Sequence, residues 1–265
     1  MNELNVLKHI GARTEERVAK WKKERSVESL AAKPLYSRKP SSLAHALQAP
    51  GPRVIAEVKF ASPSAGFLRA PGSASPAEAA RIASAYAEAG AAAISILTEP
   101  EYFSGEPSFL SAARAALPDA VLLMKDFFVD VYQLELARAI GADAILLIAA
   151  LLGPRLHEML FAARARGLST LVEVHDEAEA EAALKCTADV IGVNNRDLRS
   201  LHTDLAVSRR LASLVTKTAT AVSESGLNTR EEIDSLRELG YKGFLIGGSF
   251  MKSPNPAAAL ASLLA

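Results

Sequence analysis

Short apolar runs alternate with amphipathic helical segments from residue 53 to the end of the chain. Eight of the runs have the length and composition of buried strands, and they cover residues 54–58, 92–97, 121–124, 144–148, 170–174, 190–193, 220–222 and 244–246. Helical periodicity lies between them, most clearly at residues 76–89, 131–140, 155–166, 177–184 and 230–239. Strands that alternate with helices in this way predict a parallel sheet.

The predicted helices carry their own boundary signals. A capping residue is followed three positions later by glutamate at the starts of three helices, which begin at Ser75, Asp176 and Thr229. Glycines mark helix ends at Gly90, Gly141, Gly167 and Gly240. Acidic residues in such caps are explained by helix formation, so they are not candidates for catalysis.

The eight strand–helix repeats predict an α/β fold, a closed (β/α)8 TIM barrel. An open doubly wound sheet is the alternative, but no strand is followed by a G-x-G-x-x-G turn. The first 50 residues fall outside the repeats and predict helices near 3–25 and 42–47. We expect one domain, residues 1–265, in which residues 1–50 form a helical extension over the barrel mouth.

Charge and composition narrow the function. Among 265 residues, 30 Lys and Arg balance 30 Asp and Glu, so nothing indicates a nucleic acid or an anionic membrane as partner. The charged start of the chain does not resemble a signal peptide, and no run approaches the roughly 18 apolar residues of a membrane span. Cys186 is the single cysteine, which excludes an internal disulfide. We expect a cytoplasmic protein that is a monomer or a weak homo-oligomer.

Charged and amide side chains gather where the predicted strands end. Because active sites of such barrels lie at the carboxyl ends of the strands, these residues are expected to meet around one mouth. Each one alone could be a surface residue or a structural ion pair, but their shared location favours an active site. They are Glu57 and Lys59 at the end of the first strand, Lys125, Glu173, Asn194 with Arg196, and Glu224.

Two glycine-containing loops follow the last two strands, SESG with Ser225 and Gly226, and IGGS with Gly247 and Gly248. Loops at this position commonly bind phosphate, because glycine lets backbone N–H groups approach an anion. Ser62 in the first loop could add a hydroxyl donor. The histidines form no H-x-H or H-E-x-x-H pair, so no metal site is predicted.

Two other functions fit a barrel of this kind. An aldolase or a sugar-phosphate isomerase could use Lys125 to form a Schiff base, which borohydride would trap. A protein that only binds a phosphorylated ligand is a further alternative, and the combination of Lys59, Lys125 and Glu173 argues against it.

The chain also resembles a known family. The stretches AEVKFASPSAG, LLMKDFFVD, LVEVHDEAE, IGVNNRDL, SESGL and FLIGGSFM, in this order between residues 53 and 255, are similar to indole-3-glycerol phosphate synthases. The resemblance implies conversion of 1-(2-carboxyphenylamino)-1-deoxyribulose 5-phosphate into indole-3-glycerol phosphate, with loss of carbon dioxide and water. It implies no cofactor, and other enzymes of tryptophan biosynthesis are possible partners.

The resemblance also implies roles for individual residues. Lys125 would be the general acid, Glu173 would assist proton transfer during dehydration, and Lys59, oriented by Glu57, would hold the substrate. Asn194 and Glu224 would line the polyol and anthranilate portions, and Arg196 and Ser225 would contact substrate as well. The phosphate would be bound by Ser62, Gly226, Gly247 and Gly248, and the aromatic ring by Phe103, Phe127 and Leu198.

Overall fold

A computed structural model describes residues 4–197 and 202–265. Eight parallel strands close into a barrel in chain order, and the last strand pairs with the first. The predicted TIM barrel is therefore confirmed. We number the barrel strands β1 (Arg53–Val58), β2 (Ala93–Leu97), β3 (Leu122–Lys125), β4 (Ala144–Ile148), β5 (Ser169–Val174), β6 (Val190–Asn194), β7 (Thr220–Glu224) and β8 (Gly243–Ile246).

Helices surround the barrel and precede it. The N-terminal extension contains Leu4–Glu24, Val27–Ala31, a 3-10 turn at Pro34–Ser37, and Leu43–Ala46. The helices between and after the strands are Pro76–Glu88, Pro100–Phe103, Pro107–Ala116, Tyr132–Ile140, Ala149–Leu152, Leu156–Ala165, Glu177–Lys185, Ala206–Val215, Arg230–Glu238, Gly248–Lys252 and Pro256–Leu264, with a 3-10 turn at Gly153–Arg155. A two-stranded hairpin, Ala61–Ser62 with Gly66–Phe67, lies in the first loop.

The predicted helix boundaries are confirmed. The side chains of Ser75, Asp176 and Thr229 each accept a hydrogen bond from the backbone three residues later, at 3.2, 2.9 and 3.2 Å. Glu232 completes a capping box with Thr229. The four glycines predicted to end helices all have positive φ.

Inward-facing side chains change character along the strands. Near the start of their strands, Ile55, Leu123, Leu171 and Val222 belong to an apolar cluster inside the barrel. Side chains two residues apart on a strand share a face, so the next inward positions are Glu57, Lys125, Glu173 and Glu224. The barrel is apolar inside and becomes charged at the carboxyl ends of its strands.

The N-terminal extension contacts both ends of this barrel. Leu7 and Ile10, in the helix Leu4–Glu24, line the cavity at the carboxyl ends of the strands. Leu43 and Leu47 instead belong to the apolar cluster inside the barrel, and the backbone N–H of Leu43 donates to Ser169 Oγ at the start of β5, at 3.1 Å. Residues 43–47 therefore lie at the end opposite to the mouth that we expected the whole extension to cover. The single-domain assignment stays a prediction.

None of the helices within residues 4–197 and 202–265 is both long and apolar enough to cross a membrane.

Candidate active site

A cavity of about 730 Å³ opens at the carboxyl ends of the strands. It brings together all the predicted site residues that the structure describes, from five strand ends and from the loops after six strands. Leu198 lies outside the described residues. The predicted residues in the lining are Glu57, Lys59, Ser62, Phe103, Lys125, Phe127, Glu173, Asn194, Arg196, Glu224, Ser225, Gly226, Gly247 and Gly248.

Lys125, which lines the cavity, lies between two carboxylates. Its Nζ is 3.4 Å from Glu224 Oε2 and 3.5 Å from Glu173 Oε2. Burial lowers the pKa of Lys125, but the charges of Glu224, Glu173 and Glu57 outweigh burial and raise this pKa above its ordinary value. Lys125 is therefore an ammonium group at neutral pH, held where it can donate a proton.

Glu57 and Lys59 form an ion pair at the end of β1. Glu57 is almost completely buried. Burial raises the pKa of Glu57, but Lys59 and Lys125 more than reverse this and lower it overall. The lowered pKa means that Glu57 is charged. Its Oε2 has no hydrogen-bond partner among the described residues, so this oxygen is available to a ligand.

Glu224, at the end of β7, has a different environment. Burial, together with the charges of Glu173 and Glu57, raises the pKa of Glu224 to about 7, although Lys125 opposes the shift. Its Oε1 makes no hydrogen bond within the described part of the chain. Glu224 can therefore hold or release a proton near neutral pH.

Two phenylalanines form an apolar wall beside these charges. The ring centroids of Phe103 and Phe127 are 6.2 Å apart, in a tilted arrangement. The backbone N–H of Phe103 donates to Glu99 Oε2 at 3.2 Å, and that of Phe127 donates to Asp126 Oδ1 at 2.8 Å. Two buried carboxylates therefore fix the backbone of this aromatic wall.

The loop after β7 is held by an amide side chain. Asn195 Nδ2 donates to the carbonyl oxygens of Glu224 and Ser225, at 2.9 and 3.1 Å. Ser225 has positive φ, and so does Gly226, whose position admits no side chain because a Cβ would lie 2.5 Å from Thr203 Cγ2. The hydrogen bonds from Asn195 fix the conformation of this loop, which lines the cavity together with Gly247 and Gly248.

Sequence reasoning missed several residues around the cavity. Lys252 lines it from the last turn of Gly248–Lys252, beyond the strand-end pattern. Arg17 binds Glu99 and Asp126, at 3.0 and 2.8 Å, from the N-terminal helix. Gly192 is inside β6, where a Cβ would overlap Glu224 Oε1. The roles of Arg17 and Gly192 depend on contacts between distant segments, for which the sequence contains no local signal.

The chain is similar to known proteins over nearly its full length. The family model described as indole-3-glycerol phosphate synthase matches residues 7–263. The indole-3-glycerol phosphate synthase of Salinibacter ruber is 44% identical over 264 residues, covering 99% of this chain and 96% of that protein. The enzyme of the same name from Rhodospirillum rubrum is 42% identical over 266 residues, covering 98% and 99%.

Solved structures that are distant in sequence share the fold. Thiamine phosphate pyrophosphorylase from Pyrococcus furiosus superposes with a TM-score of 0.59 at 18% identity, covering 84% of this chain and 96% of that one. A 3-hexulose-6-phosphate synthase gives a TM-score of 0.60 at 16% identity, covering 80% and 100%. At this identity the likeness concerns the fold alone.

Proposed function

Because the chain belongs to the indole-3-glycerol phosphate synthase family, we propose that the cavity at the mouth of its barrel binds 1-(2-carboxyphenylamino)-1-deoxyribulose 5-phosphate and carries out the family's reaction. That reaction closes the pyrrole ring and releases carbon dioxide and water to give indole-3-glycerol phosphate. It is a carboxy-lyase reaction of tryptophan biosynthesis.

The observation that carries this proposal is the buried ammonium of Lys125 between Glu173 and Glu224. In ring closure, the ring carbon that bears the carboxylate attacks the ketone carbon, and the ketone oxygen gains a proton. Lys125 Nζ donates that proton. Loss of carbon dioxide then leaves its bonding electrons in the ring and restores aromaticity. A pre-placed cation also stabilises the developing alkoxide in this largely buried site.

Dehydration needs a base and an acid close together. A proton leaves the methylene carbon next to the nitrogen, and the hydroxyl made in ring closure departs as water after gaining a proton. We assign the proton transfers to Glu173 and Lys125, which face each other across 3.5 Å. Glu224 can take part, because its pKa of about 7 lets it exchange a proton near neutral pH.

The remaining lining residues bind the substrate. Lys59, oriented by Glu57, offers a cation to the substrate carboxylate or phosphate region. The tilted pair of Phe103 and Phe127 packs against the anthranilate ring, and Asn194 contacts the polyol. The loops with Ser62, Arg196, Ser225, Gly226, Gly247 and Gly248 bind the phosphate and its surroundings.

The Schiff-base alternative requires Lys125 as a neutral amine. The raised pKa of Lys125 disfavours that form and favours the ammonium form, which carries a proton to donate. Borohydride added during turnover separates the two functions, because covalent trapping of substrate on Lys125 would contradict the role of proton donor.

The experiment that tests the proposal is direct. Purified protein is incubated with 1-(2-carboxyphenylamino)-1-deoxyribulose 5-phosphate, and indole fluorescence is followed. We expect turnover in the wild type and a loss of about 10²–10⁴-fold in kcat for Lys125→Ala. Lys125→Arg should lose nearly as much, because guanidinium keeps the charge but does not release its proton. Near-native turnover of Lys125→Arg would rule out proton donation by Lys125.

Three further statements remain predictions from the sequence. They are a cytoplasmic location, a monomeric or weakly associating state, and association with other enzymes of tryptophan biosynthesis.

A further inference from the structure

An imidazole lies on the far side of Glu173 from Lys125. His175 follows β5, and its Nε2 is 3.5 Å from Glu173 Oε1, whereas Lys125 Nζ is 3.5 Å from Glu173 Oε2. His175 is 15% exposed and is not among the side chains that line the cavity. Glu173 is therefore held between a cation inside the cavity and an ionisable ring outside it.

Glu179 fixes the orientation of this ring. Its Oε2 is 3.1 Å from His175 Nδ1 and accepts the backbone N–H of His175 at 2.8 Å. Glu179 is itself fixed in the first turn of Glu177–Lys185, where its N–H donates to the capping Asp176. A carboxylate can only accept, so Nδ1 carries a hydrogen and Nε2 is the atom directed at Glu173.

The protonation state of the His175 ring determines whether Glu173 faces a lone pair or an N–H group. With Nδ1 protonated, a neutral ring presents the lone pair of Nε2 to the Glu173 carboxylate, which is repulsive. An imidazolium presents an N–H and attracts it. Burial lowers the pKa of His175, but the hydrogen bond to Glu179 and the charges of Glu173, Glu179 and Glu224 raise it above the ordinary value of 6.5.

We propose that His175 is a positioning residue: oriented by Glu179, its imidazolium holds Glu173 as a carboxylate turned toward Lys125. This inference rests on the proposed function, because Glu173 matters there as a proton-transfer group. The structure distinguishes His175 from the binding machinery, since it does not line the cavity. Its loss therefore alters kcat and the pH dependence of kcat, and leaves substrate binding nearly unchanged.

The test compares pH profiles of kcat and KM for wild type and His175→Gln. Wild-type kcat should fall on the alkaline side as His175 loses its proton, at a pH above 6.5. In His175→Gln this alkaline fall of kcat should disappear. The maximal kcat should also be lower by about tenfold, which is the lower end of the losses observed when a group that orients a metal-binding side chain is removed. KM should change by less than about twofold, since uniform binding is retained.

Glu179→Gln supplies a second variant that retains the acceptor for the His175 backbone. Removing a carboxylate that raises the pKa of His175 should move the alkaline fall of kcat to lower pH. NMR titration of the His175 ring in the unliganded protein should move in the same direction. Glu181→Gln, an exposed substitution on the same helix, and His157→Gln, on the outside of the barrel, are matched controls that should reproduce the wild-type profile.

The outcomes separate this inference from the proposed function. Turnover by the wild type tests the function whatever the variants do. A pH profile of His175→Gln that matches wild type, or a fall in Glu179→Gln that stays in place, overturns the role of His175 alone. An increase in KM without a change in kcat would place His175 in substrate binding and would equally overturn it.

Discussion

Two buried glutamates of the site pack against glycines on neighbouring strands or loops. A Cβ at Gly247 would overlap Glu57 Oε1 and approach Glu57 Cβ to 2.7 Å. A Cβ at Gly192 would overlap Glu224 Oε1. Gly247 has a φ of −138°, which any residue can adopt, so glycine is needed there for space. The loop glycine that we propose near the phosphate thus also makes room for the Glu57–Lys59 pair.

Gly247→Ala should therefore act on catalysis through Glu57. The added methyl group displaces the Glu57 carboxylate, whose charge helps to keep Lys125 protonated. We therefore expect kcat to fall by about tenfold or more, equivalent to about 1.4 kcal/mol in transition-state stabilisation. Gly248→Ala is the comparison, because a Cβ there meets nothing within 4 Å. Its effect should be confined to KM through the phosphate loop. Steady-state kinetics of both variants decide the matter, and equal kcat values for them would exclude a spacing role for Gly247.

Much of the site was predictable because side chains alternate between the two faces of a strand, so that every second residue points to the same face. Glu57, Lys125, Glu173 and Glu224 each lie two positions after an apolar residue of the barrel interior, so the sequence pattern places all four side chains inside the mouth. The fit of Gly192 to Glu224 was not predictable. It depends on the register of β6 with β7, in which Asn194 pairs with Glu224, and the sequence does not specify this register.

A largely buried arginine attaches the N-terminal helix to the mouth of the barrel. Arg17 is 11% exposed and binds Glu99, which is 1% exposed, and Asp126, which is completely buried. These are the carboxylates that hold the backbones of Phe103 and Phe127. The sequence predicted the helix but not which of its charges is buried, since its many Lys, Arg and Glu residues resemble one another along the chain.

Arg17→Met should destabilise the protein, because it leaves two buried carboxylates without their cation. Breaking a buried pair of this kind costs about 3–5 kcal/mol in the free energy of unfolding. Burial raises the pKa of Asp126, and Arg17 opposes this rise, so loss of Arg17 raises it further. A protonated Asp126 carries no uncompensated charge. The cost should thus be larger at pH 8 than at pH 5.

Urea unfolding at the two pH values measures this difference. Arg13→Met, one turn earlier on the same helix, is the matched control. Arg13 pairs with Glu16 and Glu101 on the surface, and surface pairs contribute at most about 1 kcal/mol. If Arg17→Met and Arg13→Met had equal costs, the helix would not be anchored through Arg17.

The two ends of the barrel have different roles. The carboxyl ends of the strands collect the charged side chains of the cavity. At the other end, Asp143 is buried, binds Arg38 and Arg114, and accepts the backbone N–H groups of Ser41 and Leu122 at 2.7 and 2.9 Å. These contacts join the N-terminal extension to the barrel without reaching the cavity.

Leu43→Ala tests this division of the barrel. Leu43 is fully buried in the apolar cluster inside the barrel, and a buried Leu→Ala change costs about 2–5 kcal/mol through lost burial and the cavity that remains. We expect that loss in urea unfolding, with kcat and KM of the folded fraction within about twofold of wild type. Val27→Ala, an exposed apolar position in the same extension, should change neither property. Because Leu43 is separated from Lys125 by the apolar interior, a large fall in kcat at unchanged stability would show that the two ends are coupled.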